Sequence, residues 1–185
     1  MKQPRARQKE RTRQALLASA RKLVEGGETP AIARVAEHAG VSLATAYRYY
    51  SDPLLLLSDA FAGQWPELPS IVERLGSLRD AAARARAAAE AMARHVLAHE
   101  PLVRTVLRLA NDSTEAGKGF RFLLIDRVLE VAPGDARALR SLRLGLAALV
   151  SAEAVLALKD THECGDEEIV ETLGWAAARL VGPKR

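Results

Sequence analysis

The sequence predicts an all-α protein, and three observations carry that prediction. Ala, Leu and Arg dominate the composition, while aromatic residues make up only 4% of it; Ala, Leu and Arg lose little freedom on entering a helix. Apolar side chains recur at i, i+3, i+4 and i+7 in segment after segment, with no convincing alternating run. Proline, glycine and capping residues punctuate the chain at helix-length intervals.

Residues 8–25 form the first stripe, through Leu16, Ala20, Leu23 and Val24, and stop at Gly26-Gly27. Thr29-Pro30 reads as a cap followed by a first-turn proline, opening a second helix that runs to about Ala39. Gly40 closes it, and Ser42 caps a short third helix over about 43–50. Asp52-Pro53 repeats the cap-plus-proline pattern for a fourth, running towards Gly63. The Trp65-Pro66-Glu67-Leu68-Pro69 stretch marks the domain boundary. Further helices are expected over 78–99, 101–111, 116–131, 135–159 and 166–181, with a short turn at 70–75. The expected architecture is a three-helix N-terminal domain with a helix-turn-helix, within residues 1–63, and a larger helical domain over 64–185, about nine helices in all.

Cys164 is the single cysteine, so neither an internal disulfide nor a Cys-based zinc site is available. No run of about 20 uncharged apolar residues occurs, and the basic N-terminus lacks the apolar core of a signal peptide. A cytoplasmic protein without a membrane partner is expected. The net charge of +4 is unevenly placed. Lys2, Arg5, Arg7, Lys9, Arg11 and Arg13 face only Glu10 in the first 13 residues, which leaves the remainder near neutral. A polyanion at one end of the molecule is the expected partner.

Two helices joined by a three-residue turn must pack closely, which restricts the residue types near the crossing. Ala36 is small where the helices cross, and Val35, Ala39, Val41 and Ala46 fall on inward positions, with Tyr49 and Tyr50 closing the base. Leu43, Ala44, Thr45, Tyr47 and Arg48 are left on the outer side. A helix entering a major groove needs such a face: small or apolar groups against thymine methyls, and hydroxyl or guanidinium donors for phosphates and base edges. Ser42, Leu43, Ala44, Thr45, Tyr47, Arg48 and Tyr49 are therefore the candidate DNA contacts, joined by Arg5 and Arg7 from the basic end.

The run Val35-Ala36-Glu37-His38-Ala39-Gly40-Val41-Ser42, with Thr45-Ala46-Tyr47-Arg48-Tyr49-Tyr50, resembles the signature of the tetracycline-repressor (TetR) family over about residues 10–60. The resemblance implies a homodimeric regulator that binds a pseudo-palindromic DNA operator and is released by a small-molecule effector held in the C-terminal domain. Two residues depart from the pattern. Ala31 stands where family members commonly have Thr, and Pro53 replaces a phosphate-contacting lysine, shifting affinity towards the N-terminal arginines.

Trp65, Met92, His95, Arg104, Phe120 and Phe122 are the aromatic, soft or polar groups that would line an effector pocket. On the last helix Ile169, Leu173, Ala176 and Leu180 share one stripe, while Trp175 falls on the other side, next to Ala178, where a partner helix would bury it. With Leu146 and Val150 on the preceding helix, these two form the expected dimer interface. His95 and His99 have a zinc-compatible i,i+4 spacing but no convergent further ligand, so no metal site is expected. No phosphate loop, nucleophile turn or cofactor motif is legible, so catalytic residues and cofactors are expected to be absent. The competing readings are a DNA-binding regulator without an effector and a small helical enzyme or adaptor.

Overall fold

The computed structural model describes residues 3–61, 68–110 and 118–182. Eleven helices and no strand occur among them: α1 (Gln3–Glu25), α2 (Ile32–His38), α3 (Leu43–Tyr49), α4 (Pro53–Ala60), α5 (Leu68–Ser77), α6 (Ala81–Ala98), α7 (Glu100–Ala110), α8 (Lys118–Leu129), α9 (Ala136–Leu149), α10 (Ala152–His162) and α11 (Asp166–Val181). The protein is all-α. The chain divides into two compact units, residues 1–65 with 101–116, and residues 66–100 with 117–185.

Several boundaries differ from the sequence reading, each for a local reason. α1 starts at Gln3 instead of residue 8, because nothing before residue 8 other than Pro4, tolerated in a first turn, opposes helix. α2 starts two residues after Pro30; its N-cap is Ala31, without a side-chain cap, so Thr29-Pro30 is not the helix start. The segment 70–75 lies inside a ten-residue helix, α5. The single helix expected over 135–159 is two helices, bent by 46°. Val150 leaves helical geometry there, and Ser151 caps α10 by accepting from the Ala154 N–H at 3.1 Å while donating to the Ala148 carbonyl at 2.9 Å. A serine in an apolar run carries too weak a signal to announce a break. No single described helix is long and apolar enough to cross a membrane; α9 and α10 together pass that test as a bent pair, and their Leu146, Val150 and Val155 are fully buried.

In the first unit, Leu16, Leu17, Ala20, Leu23 and Val24 of α1 form one side of a core completed by Ile32, Val35, Ala36, Ala46, Tyr50, Leu56, Leu57, Ala60 and Phe61. Leu102, Val106 and Leu109 of α7 pack on it, so this segment belongs with the N-terminal helices although 35 residues of the second unit precede it.

The second unit centres on α6 and α11, which have the most extensive mutual packing in the unit. Ala85, Ala88, Ala89 and Ala93 are completely buried on α6, as is Ala177 on α11, and residues this small let helix axes approach closely. Gly174 sits at such an approach: a Cβ there would lie 2.8 Å from Glu90 Cγ. Among the arginines of α6, Arg84 is buried. Its guanidinium donates to the carbonyls of Gly76, Leu78 and Arg127 and to the Glu130 carboxylate, joining the ends of α5 and α8 to α6. Those carbonyls lie at helix ends, where intrahelical donors run out.

Arg84→Met is therefore expected to destabilise the second unit by about 3 kcal/mol, since several charge-assisted bonds are lost together. Arg79→Met, at an exposed position, should stay within about 0.5 kcal/mol. Urea unfolding with hydrogen exchange at the ends of α5 and α8 measures both.

Candidate nucleic-acid interface

α2 ends in a hydrogen-bonded turn. The Gly40 N–H reaches the Glu37 carbonyl at 3.1 Å and the Val41 N–H reaches the Ala36 carbonyl at 3.0 Å, which requires a left-handed residue at Gly40, whose φ is +66°. The chain re-enters helix at once: Ser42 Oγ accepts from the Thr45 N–H at 3.3 Å and donates to Thr45 Oγ1 at 2.8 Å. The Thr45 hydroxyl proton stays available.

Val35, Ala36 and Ala46 are buried between α2, α3 and α1, with Ala39, Val41 and Tyr49 packed on the same core. Packing therefore occupies one side of α3. On the other side Leu43 is 47% exposed and Tyr47 52% exposed, both large apolar surfaces facing outward, with Ala44 and Arg48 also exposed. Tyr47 and Arg48 make no ion pair or side-chain hydrogen bond among the described residues, whereas Arg13, Arg21 and Arg34 all do.

The orientation of α3 is held at its C-terminal end. Tyr50, the residue that ends the helix, donates its hydroxyl to Asp59 of α4, and the same carboxylate receives Arg13 of α1 at 2.7 Å on each oxygen. Tyr50 and Arg13 together hold the Asp59 carboxyl below its ordinary range. Burial, reinforced by Asp59, pushes the Tyr50 phenol up to about 12. The His38 ring nitrogen Nδ1 lies 3.1 Å from Ser19 Oγ, linking α2 to α1.

Tyr49 takes the base-closing position expected of it, packed on the core, and this bears on the donor role also expected of it. It is half-buried and donates its hydroxyl to the Lys9 carbonyl at 3.1 Å, so this group is directed to α1 and not outward. Ser42 is exposed at the start of α3, Arg7 is exposed on α1, and the Arg5 side chain lies outside the described residues. The sequence reading missed Asp59, for which a separation of 46 residues from Arg13 leaves no local signal.

Of the residues proposed for an effector pocket, Met92, His95 and Phe122 are described in the second unit. Met92 is buried in α6 and His95 is half-buried beside it, where burial and the neighbouring His99, 4.8 Å away between ring centroids, push it down to about 4. Arg104 belongs to the first unit, Phe122 is exposed on α8, and Trp65 and the Phe120 side chain lie outside the described residues. A cleft of about 930 Å³ occurs elsewhere in the second unit, where Arg79 and Arg137 stand near Leu142, Leu180 and Val181. Among the expected interface residues, Leu146 and Val150 have no exposed surface; both are fully covered within a single chain, so they belong to the core of their own unit and not to the interface. Trp175 is 54% exposed, with Arg179 stacked over its ring at 5.9 Å, and Ala178 beside it is half-buried. No group of three or more metal-ligating side chains occurs among the described residues.

Comparison with protein-family models, curated proteins and solved structures gave no match.

The Tyr50–Asp59 contact fixes a pH window for the first unit. Asp59 has a lowered folded pKa, so its contribution is complete above the ordinary carboxylate value of about 4 and is lost as pH falls through the folded value. Tyr50 has a raised one, so stability is complete below pH about 10 and is lost as pH rises towards about 12. Melting curves across pH should show both limbs in the parent chain, and Tyr50→Phe should flatten the alkaline limb. An identical alkaline limb in the variant would contradict the assignment.

Proposed function

We propose that this chain is a sequence-specific DNA-binding transcriptional regulator in which α2, the Gly40 turn and α3 form a helix-turn-helix, α3 being the recognition helix. One observation carries the reading. The packing side of α3 is satisfied by Ala46 and Tyr50, while Leu43, Ala44, Tyr47 and Arg48 stand outward with donors unspent. A large apolar side chain held in water is a cost unless something covers it. A major groove supplies thymine methyls for Leu43 and Ala44, base edges or phosphates for Arg48 and Tyr47, and phosphate oxygens for the Ser42–Thr45 pair. The motif on these residues resembles that of tetracycline-repressor-type regulators, which supports a repressor acting as a homodimer.

A second copy of the chain is the occupant proposed for the exposed side of α11 around Trp175, which is 54% exposed and has Arg179 one turn further along the same side. Dimerisation sets two recognition helices on half-sites about 34 Å apart, one turn of duplex. A small-molecule effector rests on the same resemblance, and the cleft beside Arg79 and Arg137, open to solvent on one side, is where the second unit offers space for one.

Selection from a random duplex pool should return a two-fold symmetric sequence. Arg48→Ala and Tyr47→Phe should each weaken binding to it by about 1–3 kcal/mol while leaving the helical signal intact. A pool that shows no enrichment, or variants that bind like the parent, would refute the reading.

Trp175→Glu should convert a dimer to a monomer in light scattering and remove high-affinity operator binding. A monomeric parent, or a dimeric variant, would refute the interface.

A further inference from the structure

We propose that the first turns of α1 form a helical clamp for the phosphate backbone of duplex DNA, locked in register with α3 by Tyr49. This rests on the reading of α3 as a recognition helix and adds a second contact surface to it.

α1 is helical from Gln3, yet its first fully buried residue is Leu16. Arg13 and the Lys9 carbonyl tie the helix to α4 and α3, and the segment before Lys9 runs roughly 9 Å beyond the last of these contacts. Arg7 and Arg11 share one face of α1, one turn apart, and Lys9 projects from the other side; all three are exposed and without an ion pair or side-chain hydrogen bond among the described residues. The one acid there, Glu10, is taken up by Gln14 at 2.8 Å and Arg13 at 3.6 Å. This end of α1 thus keeps a positive charge that the chain does not neutralise.

The form of the segment decides which polyanion surface it fits. An α-helix with side chains is about 10–12 Å across, whereas the minor groove of B-DNA is about 6 Å wide. An extended arm can enter that groove; this helix must lie on the phosphates at its rim. Residues 6–11 carry no apolar side chain larger than Ala6, so nothing there inserts into a lipid surface. Tyr49 supplies the register. Its hydroxyl donates to the Lys9 carbonyl at 3.1 Å, in the turn that projects the Lys9 side chain, so the clamp and α3 are tied directly as well as through the core. Tyr49 is a positioning residue here: through the Lys9 carbonyl it fixes the helix that carries Arg7 and Arg11, and it leaves base reading to the outer face of α3.

The test measures affinity against salt for the full chain on the selected duplex and on an unrelated duplex of equal length. Arg7→Gln/Lys9→Gln/Arg11→Gln should make the slope of log affinity against log salt shallower by about 2 on both duplexes, the share of Arg7 and Arg11, with the ratio of the two affinities unchanged. Tyr49→Phe should make it shallower by about 1 with an unchanged melting temperature, a result that a purely structural tyrosine would not give. Netropsin, which fills the minor groove, should not displace the clamp. An unchanged slope in the triple variant overturns the proposal while leaving the α3 reading intact, provided Arg48→Ala still loses sequence preference. Displacement by netropsin overturns it in favour of a minor-groove arm. Retention on phosphatidylglycerol vesicles that the triple variant loses, with no change on DNA, overturns it in favour of a membrane surface. A parent that binds neither duplex overturns both readings.

Discussion

The Asp59 carboxylate is the contact on which the exposed face of α3 depends. α3 is seven residues long, too short to be stable alone, and only Ala46 within it is buried. Its direction is therefore set from outside. Tyr50 anchors its end to Asp59, Arg13 brings α1 to the same carboxylate, and the Gly40 turn fixes its beginning against α2. A helix held at both ends by other elements can leave a whole side uncommitted. That arrangement is what a helix needs if its outer residues are to meet a rigid partner without reordering.

Charge follows the same division of labour. Arg13, Arg21 and Arg34 are engaged inside the first unit, and Arg84 is engaged inside the second, where it completes helix ends that lack donors. Arg7, Lys9, Arg11 and Arg48 are not engaged among the described residues. Arginine count alone does not separate these roles, since a guanidinium serves equally as an internal staple and as an anion contact. What separates them is whether a carboxylate or carbonyl of the same chain lies within reach.

Most of the helices and the α2–α3 turn were legible in the sequence because their signals are local, while the extent of α5 and the division of α9 from α10 were not. Gly40 and Ser42 sit at fixed offsets from the residues they cap, and Asp52-Pro53 opens α4 as read, with Asp52 accepting from the Leu54 N–H at 2.8 Å. Burial at Val35, Ala36 and Ala46 followed from helical phase. Features that depend on distant partners were not legible. Nothing near Tyr49 in sequence points to Lys9, nothing near Arg84 points to Arg127, and the break at Ser151 has no glycine or proline to mark it. The membership of α7 in the first unit is of the same kind: its apolar stripe is readable, but not the surface that receives it.

Amide resonance mapping of the full chain titrated with its selected duplex tests the central claim most directly, because it locates the contact surface without altering a residue. The largest perturbations are expected at Leu43, Ala44, Thr45, Tyr47 and Arg48, with a second group over residues 6–11 and little change in α5 or α8. Perturbations confined to the second unit, or none at saturating duplex, would contradict α3 as the nucleic-acid surface.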